Sequence, residues 1–334
     1  MDATIETTAT RSERESPLPA VADAAEVASL AARLSDSIGQ VLAGRQDSID
    51  TAIACLLSAG HLLIEDIPDV GKTLLAQALA SSVGGSFHRI QGTPDLLPGD
   101  VTGTMMPHGD NFDLRFRAGP IFSNIVVFDE LNRANPRTQS ALLEATEESA
   151  VTVDGITREL PSPFLLVATQ NPLEMTGTYP LGEGALDRFA AVVTPGRASA
   201  VDEIEVLTGR RGRGQLRAVV PVVDMADVIR ARRVVADLYV ADAIAGYVVA
   251  LLAATRSHPR VRLGASTRGG VALIGLAKAR AAMAGRNYVV PDDVSTLAES
   301  ALAHRVIVSA ASGSVRAGRE VVLECLELVP VPTA

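Results

Sequence analysis

Apolar residues recur at helical and strand spacings along most of the chain and predict alternating helices and strands. From Val27 onward, steps of three and four predict an amphipathic helix that closes at Gly44. A second helical pattern over about 47–59 leads into the short apolar run 61–65, which is typical of a buried parallel strand. The alternation continues with strands and helices near 72–83, 87–90, 125–128, 136–148 and 164–169. Strands separated by helices indicate βαβ units and a parallel sheet.

Two hairpins interrupt this order, with turns near Gly109-Asp110-Asn111 and at Asp154-Gly155. We interpret both as insertions in an α/β core. After Val201 the periodicity is almost entirely helical, over 201–207, 225–238, 243–253, 267–284 and 292–303. The sequence therefore predicts a loose N-terminal tail over 1–24, an α/β core over 25–196 and an all-α domain over 197–334.

Composition narrows the class of protein. The 334 residues are 47% hydrophobic and carry a net charge of −9, which suits a globular chain but gives a poor basis for binding nucleic acid through phosphates. The two cysteines, Cys55 and Cys325, suit buried thiols in a reducing compartment. The longest apolar stretch, about 243–255, is too short for a membrane span of about 20 residues, and the N-terminus lacks a secretory pattern. We therefore expect a cytoplasmic protein without a membrane span.

The segment Asp66-Ile-Pro-Asp-Val-Gly-Lys-Thr73 lies between a predicted strand and a predicted helix and indicates a phosphate-binding loop. In such a loop, backbone N–H groups surround the phosphates, the lysine pairs with the β- and γ-phosphates, and the hydroxyl ligates Mg²⁺. Gly71, Lys72 and Thr73 fill the last positions of the pattern. Asp66 stands where the first glycine is expected, so a chance Gly-Lys-Thr competes with this interpretation when the motif is taken alone.

Two further strand ends carry polar groups. The apolar run Ile125–Phe128 ends in Asp129 and Glu130, an arrangement that places one carboxylate near Mg²⁺ and the other beside an attacking water. Taken alone, a strand followed by ordinary surface acids explains the pair equally well. The strand 164–169 runs into Gln170-Asn171-Pro172, and an amide at a strand's carboxyl end can hydrogen-bond the water or the γ-phosphate. We select Asn171 for this role, with a turn cap as the alternative.

Together these residues resemble the MoxR-type AAA+ ATPases. The resemblance covers roughly residues 27–310 in order and is carried by segments 70–80, 93–100, 116–122, 128–133, 138–144, 168–172, 177–180, 186–189, 264–268 and 288–293. It implies an AAA+ parallel sheet sandwiched by helices, a helix-2 insert and a pre-sensor-1 hairpin at the two predicted hairpins, and a C-terminal helical lid. Such proteins work as rings, typically hexamers.

The resemblance also implies ATP and Mg²⁺ as cofactors. Thr73 and Asp129 would hold the metal ion. The nucleotide-binding residues would be Asp66, Ile67, Pro68, Asp69, Val70, Gly71, Lys72, Thr73 and Leu74.

Four catalytic roles follow from the same resemblance. Glu130 would polarise the water, and Asn171 would be sensor 1. Arg188 matches the arginine finger, which reaches the ATP of the neighbouring subunit. Arg268 would be the lid's sensor 2, acting either in its own site or across the interface. Arg133 is a further candidate at the interface.

Asp69 departs from the family pattern, which commonly has glycine at this position. A like charge about 4 Å from a phosphate would cost up to roughly 4 kcal/mol at an effective dielectric of 20, before Lys72, Mg²⁺ and outward orientation reduce it. We expect weakened but not abolished ATP binding.

The leading hypothesis is an ATP-hydrolysing, chaperone-like remodelling or maturation factor for a partner protein complex, in which the partner can carry an integrin-like metal-binding domain. One alternative is a nucleotide-gated scaffold with little hydrolysis, and another is a magnesium-chelatase-like motor subunit. The stretch Arg210–Arg217 is rich in Arg and Gly without aromatic residues, and predicts a surface loop, with partner or polyanion binding as the alternative. The scattered histidines do not predict a zinc site.

Overall fold

The computed structural model describes residues 21–65, 71–108, 113–172, 177–196, 198–309 and 315–332. Most of the predicted N-terminal tail, the loop residues Asp66 to Val70 and the turn at 109–111 therefore lie outside the described residues. The helices are α1 (Val21–Gly39), α2 (Gln46–Leu57), α3 (Lys72–Ser82), α4 (Pro98–Thr102), α5 (Pro136–Glu148), α6 (Glu183–Leu186), α7 (Ala200–Leu207), α8 (Met225–Ala236), α9 (Asp242–Ser257), α10 (Thr267–Met283), α11 (Pro291–Leu302) and α12 (Val315–Leu328).

The strands are β1 (Leu62–Glu65), β2 (Phe87–Gln91), β3 (Gly103–His108), β4 (Asp113–Ala118), β5 (Ile125–Asp129), β6 (Ala150–Val153), β7 (Ile156–Glu159), β8 (Leu165–Gln170), β9 (Ala191–Val193), β10 (Val261–Leu263) and β11 (Ile307–Val308). Five of them form a parallel sheet in the order β2-β5-β8-β1-β9. Strand β8 therefore lies between β1 and β5, which places their three carboxyl ends side by side. The strand pairs β3–β4 and β6–β7 are the two predicted hairpins.

The central strands are buried because helices cover both faces of the sheet. Strands β1, β5 and β8 have no exposed position, as expected for parallel strands that read as continuous apolar runs. Successive residues alternate between two cores: Leu62 and Ile64 pack with helices α1 to α3 and the lid, whereas Leu63 packs with α5. The predicted α/β sandwich is confirmed.

The C-terminal helices form the lid and pack against the back of the core. Helix α10 contacts both α1 and α2, and it also packs on α8, α9 and α11. Close packing requires small residues: a Cβ on Gly270 would lie 2.8 Å from Leu252, and one on Gly318 would lie 2.1 Å from the carbonyl oxygen of Ala303. These approaches pack the helices of the lid against one another, and α10 joins the lid to α1 and α2 of the core.

Some boundaries differ from the sequence prediction. Helix α1 begins at Val21, within the predicted tail, and ends at Gly39, whereas Gly44 lies beyond it with a φ of +63°. Strand β9, with only three residues, and helix α12 were not predicted. The buried residues of α12, Gly318, Val321, Val322 and Cys325, recur at steps of three and four, a helical period that the sequence prediction did not use. None of the helices in the described ranges combines the length and apolar character needed to cross a membrane.

Candidate functional site

Three neighbouring strand ends bring the predicted phosphate, metal and water residues together at the carboxyl edge of the sheet. The chain leaves β1 and enters α3 at Lys72, whose Nζ donates to the carbonyl oxygen of Gln170 at the end of β8 over 3.2 Å. The Thr73 Oγ1 donates to Asp129 Oδ1 at the end of β5 over 2.9 Å. These two contacts hold the start of α3 against the ends of β8 and β5.

The start of α3 is shaped to receive an anion. Gly71 precedes the helix with a φ of +91°, a left-handed conformation that glycine adopts without strain. A Cβ at this position would also lie 3.2 Å from the Leu42 side chain. The N–H groups of the first helical turn have no acceptor within the helix, and the helix dipole favours negative charge there. A phosphate is the anion that such an end commonly binds.

Asp129 is buried, with 2% of its residue surface exposed, and three side chains satisfy its carboxylate. Besides Thr73, it accepts from Thr169 Oγ1 at 3.2 Å and from Arg89 Nε at 2.5 Å. The hydroxyl of Thr73 and this carboxylate supply the oxygen ligands that Mg²⁺ prefers, so the residues present fit Mg²⁺ with a nucleotide. Sequence reasoning missed Arg89, which reaches Asp129 from the neighbouring strand β2.

Glu130 follows Asp129 in a left-handed conformation with a φ of +55°. Its N–H donates to Thr169 Oγ1 at 3.0 Å, and a Cβ on Gly92 would lie 2.2 Å from its carbonyl oxygen. Its carboxylate accepts from Gln91 Nε2 at 2.8 Å and lies 3.3 Å from Arg133 Nε. The strained left-handed turn therefore sets the direction of the Glu130 side chain, and the Gln91 amide and the Arg133 guanidinium orient its carboxylate.

Asn171 lies between the two motifs because β8 separates β1 from β5. It is 9% exposed, and its carbonyl oxygen accepts from Asn132 Nδ2 at 3.2 Å. The preceding Gln170 donates from Nε2 to Glu65 Oε1 at 3.2 Å. A polar amide therefore lies at the position from which it can contact both a phosphate and a water.

The two predicted arginines, Arg188 and Arg268, lie at the amino edge of the sheet, the side at which its parallel strands begin. Arg188 precedes β9, and Arg268 lies in the first turn of α10, yet both bind Glu147 near the end of α5. The neighbouring Thr146 accepts from His61 Nε2 at 3.0 Å, and His61 directly precedes β1. The four residues of β1 alone span about 13 Å. Arg188 and Arg268 are therefore separated from the phosphate loop of their own chain.

A buried arginine fixes the lid beside Arg188. Arg305, with 2% of its side chain exposed, donates from Nε to Asp187 Oδ1 at 2.7 Å and from Nη2 to the carbonyl oxygen of Phe189 at 2.8 Å. Ser266, the N-cap of α10, donates to the same Asp187 carboxylate at 3.3 Å. The sequence did not predict a role for Arg305 or Ser266, although their partner Asp187 adjoins the predicted arginine finger.

Other candidate groups are structural. Burial lowers the pKa of His61 to about 4 and raises the pKa of the Cys55 thiol to about 12. In the Arg-rich loop, Arg211 donates to the carbonyl oxygen of Gly39 at 2.7 Å and pairs with Glu205 at 2.8 Å, so this arginine braces the end of α1. Within the described ranges, no group of three His, Cys, Asp or Glu residues is placed to hold a metal ion.

Comparison with known proteins agrees with this architecture. Residues 61–191 match the ATPase family associated with various cellular activities (AAA), and residues 253–324 match the AAA lid domain. YeaC of Bacillus subtilis is 46% identical over 81% of this chain and 85% of its own length. Chaperone MoxR1 of Mycobacterium tuberculosis is 36% identical over 86% of this chain and 78% of its own length. The crystal structure of a protein from Cytophaga hutchinsonii, assigned as an ATPase, has a TM-score of 0.82 and 32% identity, covering 93% of this chain and 98% of that one.

Proposed function

This chain belongs to the MoxR-type AAA+ ATPases, and from that premise we propose that it binds and hydrolyses Mg²⁺-bound ATP at sites shared between the protomers of a ring. One observation carries the proposal: the phosphate and metal residues lie at the carboxyl edge of the sheet, whereas Arg188 and Arg268 lie at the amino edge. Each protomer thus offers two complementary halves of a site.

At the carboxyl edge, we assign binding to the start of α3 and chemistry to the end of β5. Lys72 would pair with the β- and γ-phosphates, and Thr73 and Asp129 would hold the metal ion. Glu130 would orient the attacking water and accept its proton, and Asn171 would hold that water against the γ-phosphate. When bound, Mg²⁺-ATP supplies the transferable phosphoryl group. Asp66 to Val70 remain assigned to nucleotide binding from the sequence alone, and Leu74 follows the motif in α3.

At the amino edge, Arg188 and Arg268 serve the site of the neighbouring protomer. A guanidinium supplied from outside offsets the charge that develops on the γ-phosphoryl oxygens during transfer. The distance across β1 prevents Arg188 from reaching the phosphate loop of its own chain, which supports the role of an arginine finger acting between protomers. The same placement favours the trans role for Arg268 over a role in its own site.

The ring would be a hexamer that acts on a client protein complex in the cytoplasm. Family members are commonly oligomeric, and a protein named as a chaperone is among the relatives. We place the client on the side of the two hairpins, where Arg158 stacks 3.9 Å above the ring centre of Phe116 and joins them into one surface. A client with an integrin-like metal-binding domain belongs to this proposal. A magnesium-chelatase subunit homologue of Methanocaldococcus jannaschii is only 28% identical over 55% of this chain.

The test measures phosphate release by the assembled protein and by its variants Lys72→Ala and Glu130→Gln. We expect turnover by the parent protein, none by Lys72→Ala because nucleotide binding is lost, and none by Glu130→Gln although nucleotide still binds. Fluorescent-nucleotide titration separates the two defects. Nucleotide-dependent assembly without phosphate release by the parent protein would favour the scaffold alternative, and equal turnover in all three proteins would reject the assignment.

A further inference from the structure

One carboxylate joins the two arginines at the amino edge of the sheet. Glu147 Oε2 lies 2.8 Å from Arg188 Nη2, and Glu147 Oε1 lies 2.8 Å from Arg268 Nη1. Each oxygen therefore binds a different guanidinium, one from the core and one from the lid. These hydrogen bonds lower the pKa of Glu147, those from Arg268 first and those from Arg188 second, so the carboxylate is charged at neutral pH.

The backbones that carry the two arginines are already fixed relative to one another. Asp187 directly precedes Arg188, and its carboxylate accepts hydrogen bonds from Arg305 and Ser266. Ser266 is the N-cap of α10, the helix that carries Arg268. Arg188 is further held by its own bond from Nη1 to the carbonyl oxygen of Gly184 at 2.8 Å. Glu147 directs the Arg268 side chain towards Arg188 and gives the Arg188 guanidinium a second contact.

Without a carboxylate, the two cations would not stay together. Like charges at this separation repel, and Arg268 lies in the first turn of α10, where the helix dipole disfavours a positive charge. Solvent weakens both forces without removing them, since the Arg268 side chain is 42% exposed. Glu147 opposes both forces at once.

We propose that Glu147 is a positioning residue that holds Arg188 and Arg268 side by side as a two-cation clamp for the γ-phosphate bound by the neighbouring protomer. This inference rests on the proposed function. In this role Glu147 acts through the two guanidinium groups, which it orients before the protomers meet. Misplacing such groups lowers turnover by up to about 100-fold.

The proposal predicts a loss of turnover without a loss of nucleotide affinity. In Glu147→Gln, kcat of the assembled protein falls, by on the order of 10- to 100-fold, because the clamp is misaligned. Nucleotide affinity of the same protomer is unchanged, because its phosphate loop lies at the other edge of the sheet. Glu147→Asp keeps the charge and retains more activity than Glu147→Gln. The adjacent, exposed Glu148 provides the matched control, since Glu148→Gln removes the same charge from the same helix end.

A mixing experiment distinguishes action on the neighbour from a local structural role. Full-length Glu147→Gln is mixed with full-length Lys72→Ala, and phosphate release is compared with that of each variant alone. The Lys72→Ala protomers supply an intact arginine pair, and the Glu147→Gln protomers supply an intact phosphate loop, so the mixture should exceed the sum of its parts. Thermal unfolding of each variant checks that the fold is retained.

Two results would overturn the inference. The first is a parent-like kcat in Glu147→Gln under conditions in which Arg188→Ala and Lys72→Ala lose turnover; this leaves the proposed function intact. The second is a loss of nucleotide affinity in Glu147→Gln without any recovery on mixing, which would place Glu147 in the service of its own site or of the fold. Failure of the parent protein to hydrolyse ATP would instead reject the proposed function, and this inference with it.

Discussion

The two edges of the central sheet differ in how their charged groups are held. At the carboxyl edge, the carboxylate of Asp129 is 2% exposed and held by three donors from the same chain. At the amino edge, Arg268 and Glu147 are about 40% exposed, and their partners come from the lid and the core. A sheltered set of ligands for the proposed metal ion and phosphate thus lies opposite an open surface that presents two arginines. Under the proposed function, the second edge completes the first across a contact between two copies of the chain.

The largest effect should come from removing the arginine that precedes β9. Arg188→Ala should lower kcat by about 1000-fold or more, because the charge that develops on the γ-phosphoryl oxygens loses its external partner. Nucleotide affinity should change little, because Arg188 lies away from the Lys72 loop of its own chain. Steady-state phosphate release and nucleotide titration measure the two quantities.

Arg133 is a suitable control for this variant because it lies at the carboxyl edge, 3.3 Å from Glu130. Arg133 and Lys72 lie in the same half of the site, so a mixture of Arg133→Ala with Lys72→Ala should recover no activity. A mixture of Arg188→Ala with Lys72→Ala should recover activity. Activity recovered in the second mixture and absent in the first supports the division between edges. Equal recovery in both would argue against it.

A smaller but still large effect should follow from loosening the lid at the amino edge. Arg305→Met removes the charged partner of Asp187 and a buried donor to the carbonyl oxygens of Phe189 and Ala190, with Ser266 and His304 still donating to Asp187 and Phe189; this should lower the free energy of unfolding by about 3–5 kcal/mol. Urea denaturation measures the change. Arg319→Met is the matched control: its pair with Glu299 is half exposed and should contribute about 0–1 kcal/mol. Similar losses in both variants would contradict the anchoring role.

The smallest of these effects is a pH dependence centred on His61, at the start of β1. Burial lowers the pKa of His61 to about 4, below its value of about 6.5 in the unfolded chain. Its Nε2 donates to Thr146 while its Nδ1 accepts from the N–H of Leu166, so the neutral ring suits the fold. This contribution is complete above pH 6.5 and is lost as the pH falls towards 4, by about 3 kcal/mol in total.

His61→Gln should flatten that part of the stability curve, measured by urea denaturation between pH 4 and pH 7. His304 adds to the same slope, because burial lowers its pKa well below the usual value, so some slope should persist in the variant. A curve identical to that of the parent protein would show that His61 does not couple protonation to folding.

Much of the carboxyl edge could be predicted from the sequence because each element there is local. A strand followed by Gly71, Lys72 and Thr73, or by Asp129 and Glu130, places its own side chains, and the parallel pairing of β1, β5 and β8 brings the ends together. The family resemblance then predicted two separate roles, the arginine finger for Arg188 and sensor 2 for Arg268.

The amino edge could not be predicted in the same way because its contacts join distant parts of the chain. Glu147 is one of several acids near the end of α5, and nothing in the sequence distinguishes it from Glu148. Its importance appears only when the lid places Arg268 next to Arg188. Arg89 was missed for a related reason: the partner it neutralises is 40 residues away and is reached through strand pairing. Such pairs depend on the docking of domains and the order of strands.

Under the proposed function, the location of the two half-sites on opposite edges gives an assembly of this chain a direction. Contacts that join a carboxyl edge to an amino edge are head-to-tail, and such contacts close into a ring only at a suitable rotation per subunit. In an open row, the nucleotide of the protomer at one end would receive no arginines from a neighbour, and the arginines of the protomer at the other end would face no nucleotide. Closure completes the last site, so turnover per protomer would rise with length and reach its maximum when the row becomes a circle.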